Sequence, residues 1–200
     1  MTRKPIASLH RPGALAALAV ALHAGLAWAA DAPPPEAMAR QAAALTRALA
    51  YDANLAGRAG ASVSLAIVYP RDNVASQIEA QQWQAQFANL EKLRVLGLPF
   101  RVLRLPYQGP ASLLKAIEAE GLDAIFVCPG LEAEAAAIRK ITRQRKVVSM
   151  ASREDMVRGG LSIGVFLVND KNTLLVNLPA SREEGAQFSA ELLSLARVLR

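Results

Sequence analysis

The chain is poor in the residues that carry most protein chemistry. Its 200 residues include two histidines and one cysteine. Both histidines, His10 and His23, fall within the first 29 residues, so a chain shortened there has none. That excludes Ser-His-Asp and Cys-His nucleophile systems and histidine-ligated metals. It also removes the usual titrating group near neutral pH. Cys128 has no partner for an intrachain disulfide. It lies in the apolar run "AIFVCPG", where a buried, inert thiol is expected. Aromatic residues make up 5% of the chain and are not interleaved with basic clusters, so no nucleic-acid footprint is expected. Beyond the N-terminal region no apolar run approaches the ~20 residues of a membrane-spanning helix. The first strand is followed by "YPRDNVAS", with no glycine, which argues against a G-x-G-x-x-G nucleotide loop.

The N-terminal region itself is distinctive. Arg3, Lys4 and Arg11 precede an apolar run from Ala14 to Trp28, and Ala27 and Ala29 form an A-x-A pattern. Residues 1–29 are therefore expected to be a secretory signal peptide, and the following Asp-Ala-Pro-Pro-Pro cannot continue a helix. They hold three of the net +6 charges, and the 171 residues left keep three. Residues 30–36 then form a flexible spacer, and residues 37–200 a single domain large enough for its own core.

The rest of the chain alternates between two periods. "PEAMARQAAALTRALAYDANLAGRAG" predicts one helix, with Met38, Ala42, Leu45 and Leu49 inward. "SVSLAIVYP" predicts a strand. A second helix is expected from Ser76 to Leu93, with Trp83, Phe87 and Leu90 on one face. "FRVLRLPY" is a strand, "ASLLKAIEAE" a helix, "GLDAIFVCPG" a strand, 132–143 a helix and "KVVSMAS" a strand. This order predicts a three-layer α/β domain with a mostly parallel sheet. "REDMVRGG" is a loop or single turn. "LSIGVFLVNDKNTLLVNLP" predicts two strands around Asn169, Asp170 and Asn172, and Glu183 to Leu199 a closing helix.

Candidate chemistry is sparse. Asp52, Asp72 and Glu154 are acids that nothing in the sequence pairs. Ser149 and Ser152 follow the fourth strand, where α/β sites often open, but no base accompanies them. Arg101 and Arg104 read as surface cations. Tyr51 and Tyr107 lie near element ends and suit partner contact; Trp83 and Tyr69 suit the core. Gly159-Gly160 reads as a tight turn before a strand, with ligand contact as the alternative. No catalytic, cofactor-binding or metal-binding residue is expected.

The ordered features of the C-terminal third resemble the YfiR/HmsC-like periplasmic family. They are Val147–Ser149, Gly159-Gly160, Ile163–Val168, Asn169–Asn172, Leu175–Leu178 and Leu192–Val198. "LAYDANLAGRAGASVSLAIVY" resembles a divergent branch of the same family. The resemblance implies a Rossmann-like α/β domain in a periplasmic, often dimeric, non-enzymatic protein. It implies that such a protein binds and restrains the periplasmic part of an inner-membrane signalling protein, a diguanylate cyclase or sensor kinase, in cyclic di-GMP and biofilm control. Some members carry disulfides, which a chain with Cys128 alone cannot form within itself. The docking surface is expected on the C-terminal strands and helix, with Gly159, Gly160, Arg153, Arg158 and Arg182 as candidate turn or partner-contact residues. The alternative is a periplasmic small-molecule-binding protein with its ligand near Tyr69, Pro129 and Ser149.

Overall fold

The computed structural model describes residues 33–90, 92–169 and 171–200; the expected signal peptide and Asp170 lie outside them. Helix α1 (Pro35–Leu49) opens on proline, whose fixed φ and missing N–H suit a first helical position. It thus begins inside the segment 30–36 expected to be a flexible spacer. A turn follows, then the short α2 (Leu55–Arg58). The single helix expected over 35–60 is therefore two. The break falls at buried Asp52, whose carboxylate accepts the backbone N–H of Asn54 at 3.0 Å and turns the chain.

The remaining elements are β1 (Val63–Pro70), α3 (Val74–Ala88), β2 (Arg94–Val95), β3 (Leu98–Tyr107), α4 (Pro110–Glu120) and β4 (Ala124–Val127). A 3₁₀ turn (Glu132–Glu134) leads into α5 (Ala135–Arg145), followed by β5 (Val148–Ala151), α6 (Glu154–Arg158), β6 (Ile163–Val168) and β7 (Lys171–Asn177). The chain ends with α7 (Leu178–Glu183), α8 (Ala190–Leu195) and β8 (Arg197–Leu199). Helix α3 starts earlier than expected because the Asn73 side chain accepts the Ser76 N–H and caps it. The β2–β3 hairpin was not expected. Its loop is Leu96-Gly97, both at positive φ (53° and 81°), and leucine does not advertise such a turn.

The strands form one sheet in the order β2-β3-β1-β4-β5-β6-β7-β8. From β3 to β6 all pairs are parallel; β2 runs antiparallel to β3 and β7 to β6, and β8 is parallel to β7. The expected mostly parallel α/β sheet is present. Its five parallel strands follow a 2-1-3-4-5 order, not the 3-2-1-4-5-6 order of dinucleotide-binding Rossmann domains. Alternate residues of β1 face opposite ways. Leu65 and Ile67 pack with α1 and α3, while Ala66 and Val68 pack with α4, α5 and α6. Trp83, Phe87 and Phe126 anchor the first face, the Trp83 and Phe126 ring centroids 4.5 Å apart.

The C-terminal helix expected from Glu183 to Leu199 is replaced by two short helices and an edge strand. Gly185, at φ 81°, ends the first, and Ser189 caps the second by accepting the Leu192 N–H. Leu195, expected on the buried stripe, is 72% exposed.

Candidate functional site

Parallel α/β sheets usually bind ligands at the carboxyl edge, between strands whose connections run in opposite directions. Here that point lies between β1 and β4, and the chain fills it. Gly130, at φ 94°, sits so close that an added Cβ would lie 3.1 Å from both Pro70 Cγ and Ser76 Oγ. Ser76 Oγ donates to the Pro129 carbonyl at 2.9 Å. The Glu132 carboxylate accepts the Gly130 N–H at 2.9 and 3.1 Å, taking the donor that an anion would need. Tyr107 donates to Glu134 at 3.2 Å, and burial together with that carboxylate pushes its phenol up to about 12. Cys128 is fully buried under this edge, and burial holds its thiol far above the ordinary range, so it is no nucleophile.

The residues singled out from the sequence are spread over two elements. Arg153 and Arg158 bracket α6. Arg153 donates to Asp155 at 3.0 and 3.2 Å, and Arg158 to Glu154 at 2.8 Å. The Arg153 guanidinium holds the Asp155 carboxyl below its usual range. Gly159 ends α6, and Gly160 takes φ 109° beneath the Arg139 side chain, which also donates to the Gly159 carbonyl. Arg139 thus covers Gly160, while Gly159 stays exposed and lines a small pocket of about 170 Å³ with Glu132, Ala135, Asp155 and Met156. Arg182 lies apart from these, on α7. Ser149, expected past the end of the fourth strand, lies within β5 and is fully buried, so it does not open onto a site.

Arg182 lines a groove of about 420 Å³ with Asn54, Leu178, Ala186, Gln187, Phe188 and Leu193. Two buried carboxylates hold its wall. Asp52 takes the Arg58 guanidinium at 2.6 Å and the Gln187 N–H at 2.8 Å; Arg58 and Asn54 donate to the Gly185 carbonyl at 2.8 and 3.0 Å. Glu184, fully buried, accepts from Thr142 Oγ1 at 2.6 Å, from Ser149 N–H and Oγ at 2.7 Å each, and from Ser162 Oγ. Among the described residues no cation pairs with it, and burial lifts its carboxyl above the ordinary range against those four hydrogen bonds. Nothing in "REEG" separates this buried acid from an exposed one, so sequence reasoning passed over it. A wider cleft of about 760 Å³ opens at the same edge near Arg58, Ser64, Arg101, Asp123 and Arg145. Its Arg101 and Arg145 are already paired, with Glu120 and Glu118. No group of three histidine, cysteine, aspartate or glutamate residues among those described could hold a metal.

The chain belongs to the YfiR/HmsC-like family, whose model matches residues 41–197. The family is one of periplasmic regulatory proteins without catalytic activity. No helix among the described residues is long and apolar enough to cross a membrane. None of the curated proteins matches this chain. Among solved structures it is similar to the ABC domain in complex with L-Trp from Streptococcus pneumonia: TM-score 0.57, 12% identity, covering 81% of this chain and 62% of that one. It is also similar to a ligand-free, open substrate binding protein with adhesive properties from Clostridium difficile: TM-score 0.53, 12% identity, 74% and 57% covered. A conserved domain protein from Vibrio cholerae gives TM-score 0.52 at 12% identity, with 68% and 54% covered. The chain thus spans less than two thirds of each of these structures, and the likeness is one of fold.

Proposed function

We propose that this YfiR/HmsC-like chain, exported and shortened by residues 1–29, binds and restrains the periplasmic part of an inner-membrane diguanylate cyclase, and that it does so as a homodimer. A sensor kinase is the other partner of the same kind. Family membership over residues 41–197 carries the reading. The filled carboxyl edge supports it, because Gly130, Glu132 and Glu134 leave little room for a ligand where the fold would hold one. The docking face is the C-terminal groove. It sets Arg182 beside Phe188, with Leu178 and Leu193 as apolar lining, and arginine and aromatic side chains are enriched in protein interfaces.

The fold likeness to substrate binding proteins favours a second reading, a small-molecule binder, although this chain spans only part of their length. One experiment separates the two. Residues 30–200 are immobilised and offered an envelope extract, with an Arg182→Glu variant beside them. Retention of a membrane diguanylate cyclase by the native chain, weakened at least tenfold in the variant, is the expected result. Loss of the gene should then raise cyclic di-GMP. Retention of no membrane protein, with a small ligand co-purifying, would replace this reading by the second.

A further inference from the structure

We propose that Glu184 is a proton-operated clasp, whose protonation state sets how firmly the segment Glu184–Phe188 is held on the sheet and so whether the groove beside Arg182 keeps its shape. This gives the proposed docking face a pH control. It rests on that reading only for what the groove binds.

The geometry accommodates both protonation states. Ionised, Glu184 accepts from Thr142, Ser162 and twice from Ser149. Neutral, it can return a proton along the Oε1–Thr142 Oγ1 contact of 2.6 Å, because the Thr142 hydroxyl lies 3.1 Å from the Arg139 carbonyl and can donate there instead. The clasp joins four parts of the chain. Thr142 is in the last turns of α5, Ser149 in β5 and Ser162 just before β6, while Glu184 follows α7. Releasing it frees the groove wall on one side; the Asp52–Arg58 pair grips Gly185 and Gln187 on the other.

The charged groups around the clasp are engaged elsewhere. From α5, Arg139 donates to the Gly159 carbonyl and Arg143 pairs with Glu183 at 2.7 Å. Lys146 donates to the Glu183 carbonyl at 2.9 Å. From the α1–α2 turn, Asp52 and Arg58 pair with each other. At the start of β4, Asp123 accepts the Ser64 N–H at 2.8 Å. On α7, Arg182 points its chemistry at the groove. β5 and β6 contribute uncharged Ser149 and Ser162. Burial therefore dominates the acid's behaviour and disfavours its ionised form.

The sign follows from that. Below the ordinary glutamate value of 4.5 the carboxyl is neutral whether the clasp is closed or open, and opening is independent of pH. Above it, an opened clasp ionises freely while a closed one resists. Opening then becomes easier by on the order of tenfold per pH unit until the closed form ionises too.

Amide hydrogen exchange of residues 30–200, corrected for intrinsic rates and followed from pH 4 to 8, tests this. A peptide covering 182–188 is compared with one from β1. The native 182–188 peptide should show the rise, and Glu184→Gln should flatten it without altering β1. A Ser162→Ala chain, which loses one donor to the carboxylate, should carry the rise to higher pH before it levels. Equal pH slopes in the native chain and Glu184→Gln would overturn the clasp. So would a slope shared with β1. If Glu184→Gln does not fold, an unshifted profile in Ser162→Ala overturns it and a shifted one supports it. Partner capture plays no part in this measurement, so its outcome is separate from that of the docking experiment.

Discussion

The two edges of the sheet treat buried polarity differently. At the carboxyl edge the acids are solvent-reached plugs. Glu132 lies two residues from the N–H it accepts and is exposed, and Glu134 meets Tyr107 at the rim. At the amino edge the acids are long-range ties. Glu184 reaches Ser149 and Thr142 across 35 and 42 residues, and Asp52 reaches Gln187 across 135; both are fully enclosed. An exposed plug can be lost to water at little cost. An enclosed tie cannot, because its donors would be left unsatisfied in a low-dielectric interior. The switch point that binds ligands in related folds is plugged here, and the opposite edge carries the enclosed connections.

Substitutions can break this contrast, beginning with the strongest. Asp52→Ala should lower the unfolding free energy in a urea titration by about 3 kcal/mol, since it strands the half-buried Arg58 and two backbone N–H groups. Glu132→Ala, the matching change at the other edge, should stay within about 0.5 kcal/mol. Gly160→Ala should cost about 2 kcal/mol, because φ 109° is hostile to a side chain and the new Cβ would lie 2.8 Å from Arg139 Cδ.

Stability against pH provides a third test. A buried carboxyl raised above its unfolded value contributes most below about pH 4.5, and that contribution shrinks as pH rises through its folded value. Thermal unfolding of the native chain should therefore shift downward from pH 4.5 towards neutrality by more than that of Glu184→Gln. The difference is on the order of 1 kcal/mol per pH unit within that window. Arg101→Ala should likewise have a small effect, under about 1 kcal/mol and less in high salt. Its pair with Glu120 is more than two-fifths exposed on both sides and sits at the end of α4.

Regular packing was legible where one period ran unbroken. Met38, Ala42, Leu45 and Leu49 are all buried as the helical spacing predicts, and Trp83 and Phe87 point inward together. β1 and β4 are enclosed on both faces, as their continuous apolar runs require. The period misled where a polar side chain interrupts it from a distance. Asp52 splits the first helix because its partner Gln187 lies at the far end of the chain. Leu192, Leu195 and Leu199 spell a helical stripe, but Ser189 restarts the helix late and β8 takes the last residues into the sheet. The candidate site was less legible. Arg182 was named from the sequence, but the groove beside it needs Asn54 and Phe188, brought together by the Asp52–Phe188 bridge.

The sequence alone determined composition-level limits and the alternation of elements. One cysteine, two early histidines and apolar runs at two periods restrict the chemistry and require a covered, mostly parallel sheet, because hydrophobic spacing is a local property. Tertiary structure alone decided where the sheet is plugged, which acid is buried without a cation and where Arg182 faces. Those outcomes depend on hydrogen bonds between residues far apart in the chain, and no local pattern encodes them.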